Sequence, residues 1–136
     1  MVYQFTKDLE TGNELIDNEH RQLFTAINKL LAACMTGRGR TEIEETLNFL
    51  NNYVNKHFSD EEGLQRKYRY PDYPNHKRYH DAFRKTVQNL VDEYQQKGAS
   101  IDLVAKTNTS VAGWLLNHIK KEDVKVAAHI RECTSA

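Results

Sequence analysis

The sequence predicts an all-α protein: an up-down-up-down antiparallel four-helix bundle with an N-terminal arm. Three observations predict it. Apolar residues recur at steps of three and four through four long segments. No stretch alternates as a half-buried strand does. The breaks between segments are short and carry Gly, Pro or Ser. Short connections force consecutive helices to run antiparallel.

Residues 1–12 form the expected arm. They mix charged and apolar side chains and lack the apolar run of a secretion signal. The first helix is expected over about 13–36. Its stripe is Ile16, Leu23, Ile27, Leu30 and Cys34, with Phe24 and Leu31 beside it. His20 takes the one place in that series that is not apolar, and Gly37 is the expected stop. Thr41 and Glu44 read as a capping box that opens a second helix over about 41–67. Its stripe is Ile43, Leu47, Leu50, Val54, His57, Glu61 and Leu64. Segment 68–74, with Pro71 and Pro74, breaks it.

The third helix is expected over about 75–97. It carries His76, His80, Phe83, Val87, Leu90 and Tyr94 on one face and ends at Gly98. Ser100 is the expected cap of a fourth helix over about 101–130. Its stripe is Ile101, Val104, Val111, Leu115 and His118, with Trp114 and Ile119 flanking. Helices of these lengths span roughly 30–45 Å at 1.5 Å per residue.

The 136 residues suit a single domain, 1–136. Acidic and basic side chains balance at 19 each, so no overall field attracts nucleic acid or an anionic membrane. No window reaches the roughly 18 apolar residues of a membrane span. Cys34 and Cys133 have no metal-ligand spacing. Cys34 is expected to be buried and Cys133 exposed. That usage fits a reducing, cytoplasmic setting. His129 is read as a surface residue.

The informative feature is where the other histidines fall. A buried imidazole or carboxylate costs several kcal/mol unless it is paired or bound to a metal. A single stripe histidine is most often a hydrogen-bonded core residue. Here His20, His57, His76, His80 and His118 all point along apolar stripes, and Glu61 follows His57 by one turn. Such a set points to metal. Imidazole suits iron, zinc and copper, whereas bridging carboxylates suit pairs of harder ions. Five histidines exceed what one tetrahedral zinc uses. Two ions sharing two carboxylates is the economical solution.

The segments Ile16-Asp17-Asn18-Glu19-His20, His57-Phe58-Ser59-Asp60-Glu61-Glu62, His76-x-x-x-His80 and His118-x-x-x-x-Asp123 resemble the hemerythrin family. The likeness is closest to its bacterial members and runs in order across nearly the whole chain. The resemblance implies two iron ions with an oxo or hydroxo bridge. It assigns His76, His80 and His118 to one iron, His20 and His57 to the other, and Glu61 and Asp123 to both. It implies reversible dioxygen binding at an open position on the second iron, with no protein acid or base and no enzymatic turnover. The chain also resembles the hemerythrin domains at the C-terminus of bacterial methyl-accepting chemotaxis receptors. That context implies an oxygen sensor fused to or signalling to a chemoreceptor; the other use is a stand-alone carrier or store.

Asp123 is the ligand that helix geometry does not favour. Five residues on an ideal helix leave it about 140° round from His118. Glu122 fits that face better, and only the resemblance selects Asp123. Ile119, Trp114, Leu115, Leu23, Phe24 and Phe58 neighbour ligands at helical spacing and are the expected walls of a dry oxygen pocket, with Ile119 as its gate. No spare titratable residue is expected on the inner stripes. The alternatives are a di-iron oxidase or peroxidase, and a bundle that stores metal.

Overall fold

A computed structural model describes residues 3–134. Three long helices, α1 (Glu14–Met35), α2 (Gly39–Lys67) and α3 (Tyr73–Lys97), precede a fourth rod over 101–134. The rod joins α4 (Ile101–Thr107), α5 (Gly113–His118) and α6 (Val124–Thr134) through two π-helical turns, Asn108–Ala112 and Ile119–Asp123. The connections 36–38, 68–72 and 98–100 are short, and the four rods pack as the antiparallel bundle that the sequence predicts. No strand is present among the described residues.

The helix ends follow local chemistry. The Asn13 side chain accepts from the Ile16 amide at 3.1 Å and opens α1. Ser100 accepts from the Leu103 amide at 3.0 Å and opens α4, as expected. Gly37 and Gly98 both sit at φ 74°, the left-handed conformation that stops a helix. The second helix departs from expectation. It starts at Gly39, with no side-chain cap at Arg38, so Thr41 lies inside the helix and the Thr41–Glu44 box does not form. Gly39 is needed there for close packing, since a Cβ would lie 2.9 Å from Cys34 Sγ. The third helix begins at Tyr73, with Pro74 in its first turn, where a missing amide proton costs nothing.

The core divides along the bundle axis. At one end Leu30, Ile43, Leu47, Leu50, Val87, Leu90 and Leu103 form an apolar cluster. At the other end the buried layer includes His20, His57, Glu61, His76, His80, His118 and Asp123. Several expectations need correction here. Ile101 lies 75% exposed, outside the stripe to which its spacing assigned it. Cys34 is only half-buried, whereas Cys133 is exposed as expected. His129 is partly buried, and its Nε2 lies 2.7 Å from the Tyr68 carbonyl, tying the fourth rod to the α2–α3 turn.

The arm is laced to the bundle. Asn28 exchanges two hydrogen bonds with the Tyr3 backbone, at 2.9 and 2.7 Å. The Asp17 carboxylate accepts from the amides of Thr11 and Gly12 and from the Thr11 hydroxyl. Leu9, in a 3-10 turn over Lys7–Leu9, packs against Phe24 and Ile119. Residues 1 and 2 of the expected arm lie outside the described residues. Among the described residues no helix is long and apolar enough to cross a membrane.

Candidate metal centre

Every candidate ligand lies in the polar half of the bundle. His20 comes from α1, His57 and Glu61 from α2, His76 and His80 from α3, and His118 and Asp123 from the fourth rod. All seven are buried, with His20, His76 and His80 at 0% exposure. Their donor atoms fall into two overlapping groups. One is Glu61, His76, His80, His118 and Asp123; the other is His20, His57, Glu61 and Asp123.

The two carboxylates divide their oxygens between the groups. Glu61 Oε1 lies 2.6 Å from His76 Nε2 and 3.4 Å from His80 Nε2, while Oε2 faces His57 Nε2 at 3.7 Å. Asp123 Oδ1 lies 3.1 Å from the Nε2 atoms of both His76 and His118, while Oδ2 lies 3.1 Å from His20 Nε2.

Asp123 joins this cluster because the fourth rod is not an ideal α-helix. The π-turn over Ile119–Asp123 starts directly after His118, and the Val124 amide reaches back five residues to the Ile119 carbonyl. The wider turn returns residue i+5 to the face of residue i. Glu122, which an ideal helix would have placed there, lies outside both groups and pairs with Lys125 at 3.9 Å.

The geometry fits metal better than a hydrogen-bond network. His118 Nε2 lies 3.0 Å from His76 Nε2 and 3.1 Å from His80 Nε2. Ligands at right angles about an ion held at about 2.1 Å stand about 3.0 Å apart; a tetrahedral site spreads them to roughly 3.4 Å. His57 and His80 each place Nδ1 on a carboxylate, which turns Nε2 toward the cluster. Buried Glu61 Oε2 makes no hydrogen bond, and His20 Nε2 and Asp123 Oδ1 meet their cluster neighbours at 3.1 Å without hydrogen-bond geometry. Orphaned polar atoms at a point where lone pairs converge are what a donor set for cations requires.

Electrostatics in the metal-free chain agree. Burial pulls the His76 imidazole down, but Asp123 and Glu61 outweigh it and lift the ring to about 10. Burial pushes Asp123 up, but His118, His20 and His76 hold it well below the usual carboxylate range. Burial and Asp123 raise Glu61, while His76, His80 and His57 bring it below its ordinary value.

The stripe reading missed three buried carboxylates. Asp17 anchors the arm, as described above. Glu19 Oε1 lies 2.9 Å from His57 Nδ1, and its Oε2 accepts from Lys56 at 2.9 Å. Burial raises the Glu19 carboxyl, but bonds to His57, Asp60 and Lys56 hold it at about 2. Glu62 Oε2 lies 2.8 Å from His80 Nδ1 and 3.1 Å from Arg84 Nη1. Gln65 is fully buried and donates to Glu61 Oε1 at 3.4 Å. The adjacency of Glu19 to His20 and of Glu62 to Glu61 was the only sequence signal for the two backing carboxylates.

Among the wall candidates, Leu23, Phe58 and Leu115 belong to the main core, while Phe24 and Ile119 pack with Leu9. Phe58 stacks on His80 with ring centroids 3.8 Å apart, and Trp114 stacks on His118 at 4.4 Å. Trp114 is half-buried rather than fully enclosed.

Four antiparallel rods around a buried, histidine-rich donor set that shares two carboxylates define a metal-binding helical bundle. Comparison with known proteins narrows the class. Residues 11–130 match the family model for the hemerythrin HHE cation-binding domain, and the chain belongs to that family. It is 32% identical over 124 residues to a bacteriohemerythrin of Stenotrophomonas maltophilia (strain R551-3), covering 91% of this chain and 78% of the relative. A bacteriohemerythrin of Methylococcus capsulatus is 35% identical over 107 residues, 79% of each chain. A crystal structure of a hemerythrin point mutant superposes with a TM-score of 0.79 at 30% identity, over 100% of both chains.

Proposed function

We propose that the chain, 1–136, acts as a single hemerythrin-like domain that binds dioxygen reversibly at a non-haem di-iron centre. The observation that carries this reading is the divided carboxylate pair. Glu61 and Asp123 each turn one oxygen to a three-histidine group and the other to a two-histidine group. The residues suit two iron ions, with His76, His80 and His118 on one and His20 and His57 on the other. The second group has one protein donor fewer, so a metal held there would keep room for a ligand from outside. Two ferrous ions supply the two electrons that reversible dioxygen binding requires.

The chain's own residues orient the metals and keep the site dry. Leu23 and Ile119 are fully enclosed, and Phe5 packs beside His20 and edge-on against Phe24. Water or a mobile proton at this point would let reduced oxygen escape and strand the metals oxidised. His20 Nδ1 has no hydrogen-bond partner that could relay a proton. Glu19 and Glu62 bond the outer nitrogens of His57 and His80 and are tied in turn to Lys56 and Arg84, so they stand behind the ligands and neither offers a proton to the interior. This arrangement favours binding over turnover. Use as an oxygen sensor attached to a chemoreceptor, or as a cytoplasmic carrier, would both build on the same binding.

The test is to load the protein with ferrous iron without air, admit oxygen and follow the visible spectrum. A charge-transfer band that appears with oxygen and fades when oxygen is removed is expected. Irreversible oxidation with release of peroxide would mark an oxidase, and no response would leave a metal-storing bundle.

A further inference from the structure

We propose that Glu19 and Glu62 are a matched pair of positioning residues, one for each metal, each acting through a single histidine. The inference rests on the two-metal reading above and concerns how the protein sets the strength of each half separately.

Only two of the three α2 and α3 histidines have a carboxylate at Nδ1. His57, in the four-donor group, lies 2.9 Å from Glu19, and His80, in the five-donor group, lies 2.8 Å from Glu62. His76, and likewise His20 of α1, has no hydrogen-bond partner at Nδ1. His118 makes its contacts through Nε2, so each group has one histidine with a carboxylate at Nδ1 among the described residues.

The construction repeats from helix to helix. Glu19 stands one residue before His20 on α1 and crosses to His57 on α2. Glu62 stands one residue after Glu61 on α2 and crosses to His80 on α3. Adjacent helical residues point about 100° apart, so a residue beside an inward-facing ligand faces the neighbouring helix. Each carboxylate is fixed in turn by a cation: Lys56 for Glu19 and Arg84 for Glu62. Arg84 is itself held in place: its guanidinium lies 5.2 Å over the Phe58 ring and donates to Asp81 at 2.8 Å. A carboxylate at Nδ1 fixes the tautomer, aims Nε2 inward and makes the ring a stronger donor; losing such a partner typically lowers metal affinity about 10–100-fold.

The experiment is a cobalt(II) titration of the metal-free protein, followed by its visible bands, on wild type, Glu19→Gln, Glu62→Gln, His57→Ala, His80→Ala and the double variants Glu19→Gln/His57→Ala and Glu62→Gln/His80→Ala. Wild type should take up two equivalents. Each glutamine variant should weaken one equivalent about 10–100-fold and leave the other unchanged, with a different equivalent affected in each. Glu19→Gln should add nothing once His57 is gone, and Glu62→Gln nothing once His80 is gone, because the action passes through that ring. A general structural role would instead give additive losses. Nitrogen-15 NMR of the zinc-loaded wild type checks the same point without substitution: strongly downfield Nδ1 protons are expected on His57 and His80 and not on His20 or His76. Unchanged cobalt binding in both variants, additive losses in the cycles, or Nδ1 protons distributed otherwise would overturn the inference while leaving two-metal binding intact. Wild type that takes up fewer than two equivalents would overturn both.

Discussion

At one end of the bundle Leu30, Ile43, Leu47, Leu50 and Leu103 close a layer with at most 2% exposure; at the other, His20, His57, His76, His80 and Glu61 are buried to the same degree. The helices and the packing are shared, yet the two ends have opposite energetics. Burying apolar surface stabilises the first end at roughly 25 cal/mol per Å². Burying imidazoles and carboxylates opposes folding at the second unless they are paired or bound to cations. The apolar half can therefore act as the scaffold that holds a donor set in place before metal arrives.

Substitutions that attack each half separately test this contrast. The largest effect is expected from Asp123→Asn, which removes a carboxylate facing His20, His76 and His118. It should weaken metal uptake by more than about 100-fold, beyond the range typical of an outer-shell partner. It should also destabilise the metal-free chain by roughly 3–5 kcal/mol, as a broken buried ion pair does. Metal analysis and thermal melts check both. Leu50→Ala in the apolar half should cost about 2–5 kcal/mol with and without metal, and leave metal stoichiometry unchanged.

The pH dependence of the metal-free chain sharpens the contrast further. Asp123 and Glu61 lift His76 to about 10 from 6.5, so its stabilising charge is fully present below 6.5 and lost as pH rises through about 10. The lowered Asp123 and Glu61 contribute above their ordinary values of 3.8 and 4.5 and lose that contribution as pH falls through the lowered ones. Melting temperatures of the metal-free protein should therefore fall on both sides. Metal must displace the His76 proton, so binding should release protons and weaken as pH falls, which a titration in weak buffer measures. The smallest effect is expected from Glu122→Gln. That residue pairs with Lys125, at 3.9 Å, and its loss should change stability by less than about 0.5 kcal/mol and leave metal content intact.

The difference between Glu122 and Asp123 also marks the limit of what the sequence displays. Helical periodicity located all four rods, and the histidines that interrupt it stand in the cluster. Periodicity assumes a regular helix, however, and the π-turn after His118 breaks that assumption where it matters. On spacing alone Glu122 was favoured, and only the family resemblance selected Asp123. Glu19 and Glu62 escaped the stripe reading because they face a neighbouring helix rather than the bundle axis. Ile101 misled in the other direction: it keeps the period of its helix but lies in the first turn, beyond the packed layer.

A crystal structure of the iron-loaded protein soaked with azide tests the central claim most directly. Two irons joined by Glu61 and Asp123, with azide on the iron held by His20 and His57, are predicted. A single iron, or azide on the iron held by His76, His80 and His118, would contradict it.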